Sequence, residues 1–140
     1  MIPLVALLLV AQYSTLPLRT EIEGWINTLS NRGYDVFQYR GVVLRLDESM
    51  DLPVTLHAEG DHIFGALGGP NAMIIRMELM KGDRVILQCG TDDLPLLHLP
   101  ADSAAMVTHM RLTATDMIYG ARAESVYVYE AVRPVDPESL

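Results

Sequence analysis

Cysteine is almost absent from this sequence, since Cys89 is the single example among 140 residues. One cysteine cannot close a disulfide within the chain, and it cannot build a thiolate cage for zinc. The small secreted scaffolds that depend on several disulfides are therefore excluded. Because Cys89 lies in the apolar run 84–89, we expect its side chain to pack inside the fold.

Basic residues are also scarce: 10 of them oppose 18 acidic residues, and the formal net charge is −8. They form no stripe that would neutralise successive phosphates and no basic amphipathic segment that would attract an anionic membrane. We therefore expect neither duplex DNA as a partner nor insertion into a membrane. A nucleic-acid accessory protein, with Tyr127 or Tyr129 stacking on bases, is kept as a third hypothesis.

Long apolar runs are missing except at the start of the chain, where residues 1–11 are almost entirely apolar. This run has no basic residues before it and no clear cleavage site before Tyr13, as a secretory signal would have, and it is too short to span a bilayer. Strands that are buried on both faces have the same composition. We expect a buried strand here, and an intracellular or cytoplasmic protein, or a virion component if the source is viral.

Two helices are predicted from apolar spacing. The first covers residues 16–31 and ends at Gly33, which suits a left-handed C-terminal cap. The second begins near Asp102 and carries apolar side chains at helical spacing from Met106 to Ile118.

Several strands are predicted between and after these helices. The runs 35–39 and 42–46 form either a hairpin or one long strand bent at Gly41, and residues 53–59 form another strand. A hairpin is predicted at 72–80 and 84–89, an edge strand or an extended connection at 94–99, and a last strand at 125–132. The glycine-rich stretch 60–71 is predicted to be an irregular loop.

These elements predict an α+β fold, with an antiparallel-rich sheet of about six to seven strands and two main helices packed on one face. We expect one compact domain over residues 1–132 and a flexible tail over 133–140.

One dense group of possible metal ligands occurs in the chain. On a strand, His57, Glu59 and Asp61 would share a face, and His62 follows directly. His57, Glu59 and His62 are therefore the candidate metal site, although a polar strand end beside a turn has the same composition. The chain lacks the downstream cysteine pair of zinc deaminases, a nucleophile elbow and a phosphate-binding loop, so we expect no cofactor.

Methionine is frequent, with eight in the chain. Flexible thioether side chains adapt to irregular apolar surfaces, so Met77, Met106, Met110 and Met117 are candidate partner-binding residues, with ordinary core packing as the alternative.

Half of the residues are hydrophobic, which is rich for a domain whose surface faces water. We expect a non-enzymatic protein-binding or assembly module that forms a homodimer, with a structural or accessory protein of a virus or phage as one candidate. The alternative is a small enzyme or ligand-binding domain that uses His57, Glu59 and His62.

Overall fold

The structure is a computed structural model that describes residues 20–57 and 60–134, with the side chains of residues 104 and 105 left out. The strand expected at residues 1–11, the start of the first predicted helix and the tail beyond residue 134 lie outside the described residues. The described helix and strands are α1 (residues 20–31), β1 (Asp35–Arg45), β2 (Ser49–Pro53), β3 (Gly60–Gly68), β4 (Ala72–Lys81), β5 (Arg84–Cys89), β6 (Leu96–Leu99), β7 (His109–Met117) and β8 (Ala123–Pro134), with a 3-10 helix at Ala101–Met106.

The strands form two four-stranded sheets. Sheet A has the order β1-β8-β3-β6, and sheet B has the order β2-β7-β4-β5. Every ladder within the sheets is antiparallel, and the pairs β1–β8, β2–β7, β3–β6 and β4–β5 are all present. This nesting of first with last strand, second with seventh and so on is the topology of an eight-stranded jelly roll.

The main core lies between the two sheets. Sheet A contributes Phe64 and Val128, among others, and sheet B contributes Ile75 and Leu112, all enclosed in one apolar cluster. Inward and outward residues alternate along each strand, as expected for stacked sheets.

A second, smaller core lies on the outer face of sheet A, where α1 packs. Ile22 and Leu29 of the helix are buried together with Ile63 and Tyr129 of the sheet. The helix ends as the sequence predicts: Gly33 adopts a φ of 84°, and the Tyr34 N–H donates to the Leu29 carbonyl at 2.9 Å. This is the hydrogen-bond pattern of a Schellman C-cap.

The predicted fold class is wrong. The described part of the chain is mostly β, with two sheets of four strands in place of one sheet of six to seven, and with α1 as its one α-helix. None of its helices has both the length and the apolar character needed to cross a bilayer.

The second predicted helix is mostly strand β7, and only its start lies in a helix, the 3-10 helix at Ala101–Met106. The apolar positions Met106, Met110 and Ala114 are four residues apart, a spacing that fits the repeat of a helix and also the two-residue repeat of a strand. Burial decides the matter, because Met110, Leu112 and Ala114 are fully enclosed at every second position.

Two predictions for the middle of the chain are also wrong. The irregular loop expected at 60–71 is mainly β3. In the described part of the strand expected at 53–59, only Pro53, the last residue of β2, lies in a strand, and residues 54–57 do not. By contrast, the hairpin of β4 and β5 is present, with Gly82 at a φ of 58° in its turn. The first two β-rich runs form one continuous strand, β1.

Candidate functional site

Residues 54–57 follow β2 on the way to β3, and we call them the strap. The histidine cluster lies beside this strap. The strap is tied to sheet A by two backbone donors. The Thr55 N–H donates to Glu130 Oε1 at 3.0 Å, and the His57 N–H donates to His62 Nε2 at 2.9 Å. One ring nitrogen of His62 therefore has a structural role.

His62 is completely buried, and its Nδ1 makes no hydrogen bond to a described residue. Burial, followed by the nearby His57, lowers the pKa of His62. Its ring stacks on Phe64, with centroids 5.9 Å apart, and His57 packs edge-on against Phe37. His62 is thus held as a neutral ring among aromatic neighbours.

Of the predicted metal ligands, Glu59 lies outside the described residues, and His57 is exposed while His62 is buried. Over residues 20–57 and 60–134, no three histidine, cysteine or acidic side chains gather closely enough to hold a metal ion. Asp61 is engaged elsewhere, accepting from the Ala101 N–H and from Arg133.

Glu130 is a buried carboxylate on β8. The sequence pattern puts it on one face of that strand but indicates no role for it. It is 2 % exposed, and burial raises its pKa, while the hydrogen bond from Thr55 and the charge of Arg40 act in the opposite direction. Its contact with Thr55 ties the strap to the sheet. A cleft of about 120 Å³, formed by Val43–Arg45 and Glu48–Met50, lies elsewhere on the molecule.

Three of the four candidate partner-binding methionines are buried. Met77, Met110 and Met117 are enclosed between the sheets, where a molecule docking from outside does not reach them. Met106, at the end of the 3-10 helix, is the one of the four that is exposed. Tyr129 is similarly covered, because Trp25 of α1 stacks over it at 6.5 Å.

The exposed large apolar side chains of the described residues lie in several places. They are Tyr39 and Val43 on β1, Met73, Ile118 and Tyr119 near the β7–β8 turn, Val85, Leu94 and Leu96 near β5 and β6, and Met106. The β1 pair differs from the others, because it lies on a long strand at the edge of a sheet.

The four edge strands of the sandwich are unequal. β2 has five residues and ends in Pro53, β6 has four and β5 has six, whereas β1 has 11. Proteins block sheet edges with short strands, proline, charged side chains such as lysine, inward-pointing charges or bulges. Between residues 38 and 44, β1 contains neither proline nor lysine, and its one charged side chain, Arg40, donates to the Pro53 carbonyl of the same chain. Its one bulge lies earlier, between Val36 and Gln38.

From Tyr39 to Val43 the outer face of β1 is apolar. Tyr39 and Val43 are each 56 % exposed, and the Tyr127 ring lies over Gly41 between them. We call Tyr39, Gly41, Val43 and Tyr127 the edge surface. Sequence alternation over 42–46 indicates that Val43 faces away from the core. No such signal identifies Tyr39, because the runs 35–39 and 42–46 fit either a hairpin or one bent strand.

The outer face of sheet B has a different chemistry. Arg111 binds Asp51 through two hydrogen bonds, of 2.7 and 3.2 Å, and Arg76 lies 3.3 Å from Glu78. Ser49 and Thr113 share a hydrogen bond between β2 and β7. Asp51 and Arg76 are exposed, whereas Glu78 and Thr113 are buried. Polar contacts thus join the strands on the outer face of sheet B, in contrast to the apolar edge surface on sheet A.

No family model matches the chain, and neither does any curated protein. A similar solved structure comes from Bacillus endospore appendages, described as a novel family of disulfide-linked pili. It has 5% sequence identity and a TM-score of 0.40, covering 70% of this chain and 88% of that chain. A similarity of this size carries no argument about function.

Proposed function

We propose that this protein is a non-enzymatic module that associates with a second copy of itself through the edge surface of β1. The supporting observation is that an unpaired strand edge and exposed apolar side chains occur at the same place. Within residues 20–57 and 60–134, the 11-residue strand β1 pairs on one side only, and Tyr39 and Val43 expose more than half of their surface there. Pairing with another strand supplies hydrogen-bond partners for this edge and also covers the two side chains.

The fold is compatible with an assembly function, but it is equally compatible with other functions. Jelly rolls occur in capsid proteins and lectins, and also in cupins. A viral or phage origin therefore has only a fold-level analogy in its favour. The local chemistry of β1 carries the proposal.

The enzyme alternative is less well supported. His62 and Glu130 each accept a hydrogen bond from the strap, so both buried side chains are engaged in holding the chain together. An acid–base site needs side chains that converge on space for a substrate.

The proposal predicts that replacing Tyr39 and Val43 with lysine abolishes self-association. Both side chains are exposed, so the fold should survive, whereas lysines placed at a strand edge block pairing. Light scattering should give a mass that rises toward that of a dimer with concentration for the natural chain, and a monomer for the variant.

The matched control replaces Met73 and Tyr119, which are also exposed apolar residues outside β1, with lysine. It should associate as the natural chain does. A natural chain that remains monomeric up to millimolar concentration would refute self-association, and association lost equally in both variants would refute the role of β1.

A further inference from the structure

We infer that two copies pair their β1 strands antiparallel, around a two-fold axis that lies midway between the two Gly41 residues. This inference rests on the proposed function and adds its geometry. The interface is isologous, so each copy supplies the same strand. The result is a continuous eight-stranded sheet built from two copies of sheet A.

The side chains of β1 have a fixed division between faces. Beyond the bulge at Phe37, Leu44 and Val42 point to the core, while Tyr39, Gly41 and Val43 point outward. In an antiparallel pair, residues directly opposite each other lie on the same face of the sheet. Outward residues of one copy must therefore face outward residues of the other, which leaves few symmetric registers.

The composition of β1 distinguishes these registers. With the axis at Arg40, two arginines lie directly opposite each other, an arrangement that like charges disfavour. With the axis at Val42, Tyr39 faces Arg45 and Val43 faces Gly41. With the axis at Gly41, Tyr39 of each copy lies opposite Val43 of the other.

The Gly41 register is therefore the one that covers both exposed apolar side chains with each other. It forms two aromatic–β-branched pairs, a combination that stabilises neighbouring strands. It also sets Arg40 opposite Val42, so no like charges meet. Arg40 is already held in its own copy, where it donates to the Pro53 carbonyl at 3.0 Å.

Gly41 suits the centre of such an interface. The Tyr127 ring of the neighbouring strand lies over it, so the glycine leaves no gap in the outer face. Because the axis is perpendicular to the sheet, both copies of α1 lie on the same face of the joined sheet. The outer faces of the two copies of sheet B take no part in this interface.

Cysteine cross-linking tests this register. In a Cys89→Ala background, chains carrying Tyr39→Cys are mixed with chains carrying Val43→Cys and treated with a short bis-maleimide. The mixture should cross-link efficiently, because the two cysteines lie opposite each other. Either variant alone should cross-link poorly, since equivalent residues are then about 13 Å apart along the strands.

The outcomes separate this inference from the proposed function. Cross-linking of one variant alone that is as efficient as that of the mixture would overturn the Gly41 register while leaving self-association intact. A dimer by light scattering that cross-links in neither case would overturn β1 pairing. A monomer throughout would overturn both.

A charge exchange gives independent evidence. Chains with Tyr39→Lys and Val43→Lys, and chains with Tyr39→Glu and Val43→Glu, should each be monomeric, because like charges lie opposite each other in their own dimers. An equal mixture should regain the dimer mass, which a variant that has simply unfolded cannot do. Failure of the mixture to associate would contradict direct opposition of residues 39 and 43.

Discussion

Gly65 is a glycine in the middle of a strand, and an aromatic ring explains it. It pairs with Tyr129 across β3 and β8, and a Cβ added at Gly65 would overlap the Tyr129 ring. An aromatic side chain that lies over a cross-strand glycine fills the space that the missing side chain leaves. The same arrangement recurs at Gly41 and Tyr127.

Replacing Gly65 with alanine should therefore destabilise the protein by roughly 1–3 kcal/mol, because the added methyl group forces a buried ring to move. Chemical denaturation followed by the fluorescence of Trp25, the single tryptophan, measures this directly. The control is Gly24→Ala in α1, where the added carbon meets nothing within 4 Å. That change should instead stabilise by about 0.5–1 kcal/mol. Equal effects at the two positions would contradict the packing argument.

The sequence could not distinguish such a glycine from a loop glycine. The stretch 60–71 contains several glycines and a proline, which favour a loop on composition alone. What makes Gly65 a strand residue is Tyr129, far along the chain, and that contact appears only in the fold. The histidines show the same limit: their proximity is visible in the sequence, but the use of His62 as an acceptor for the strap is not.

Among the elements, those with local signals were the predictable ones. Helix α1 has a buried stripe and a glycine cap, and the β4–β5 hairpin has Gly82 in its turn, so each is specified by residues close in sequence. Strand β7 has no such signal, because its four-residue apolar spacing fits both repeats. Its neighbours, β2 and β4, determine its form.

The two side chains that accept hydrogen bonds from the strap, His62 and Glu130, should make the stability of the fold depend on pH in opposite directions. The pKa of His62 is lowered in the folded state, so the unfolded chain takes up a proton first as the pH falls through its ordinary value of 6.5. Stability from His62 is thus present above that value and is lost as the pH falls. The pKa of Glu130 is raised above 4.5, so the folded state binds this proton first and gains stability as the pH falls through the raised value.

We therefore predict that His62→Gln, which keeps an acceptor near the Nε2 position, weakens the loss of stability between about pH 7.5 and 5.5. Glu130→Gln should abolish the opposing gain in stability, which is made as the pH falls through the raised pKa of Glu130 toward 4.5. Urea denaturation from about pH 7.5 to 4.5 measures both effects. The account fails if the two variants and the natural chain have parallel stability profiles.

At the scale of the whole molecule, the division into two sheets is not visible in the sequence. Alternating strands predict an antiparallel arrangement, which the structure has, but nothing local specifies which strands share a sheet. From the sequence, the surplus of apolar residues suggests a docking surface of methionines. Much of that surplus instead forms two cores, one between the sheets and one beneath α1.

Part of the remaining apolar surface lies on β1, and hydrogen exchange tests its role most directly. Backbone amides over residues 38–44 should become more protected as protein concentration rises, because those on the outer edge acquire partners in a second copy. Amides of the other edge strands, β2, β5 and β6, should exchange at constant rates. Exchange over residues 38–44 that does not change while the measured mass doubles would contradict association through β1.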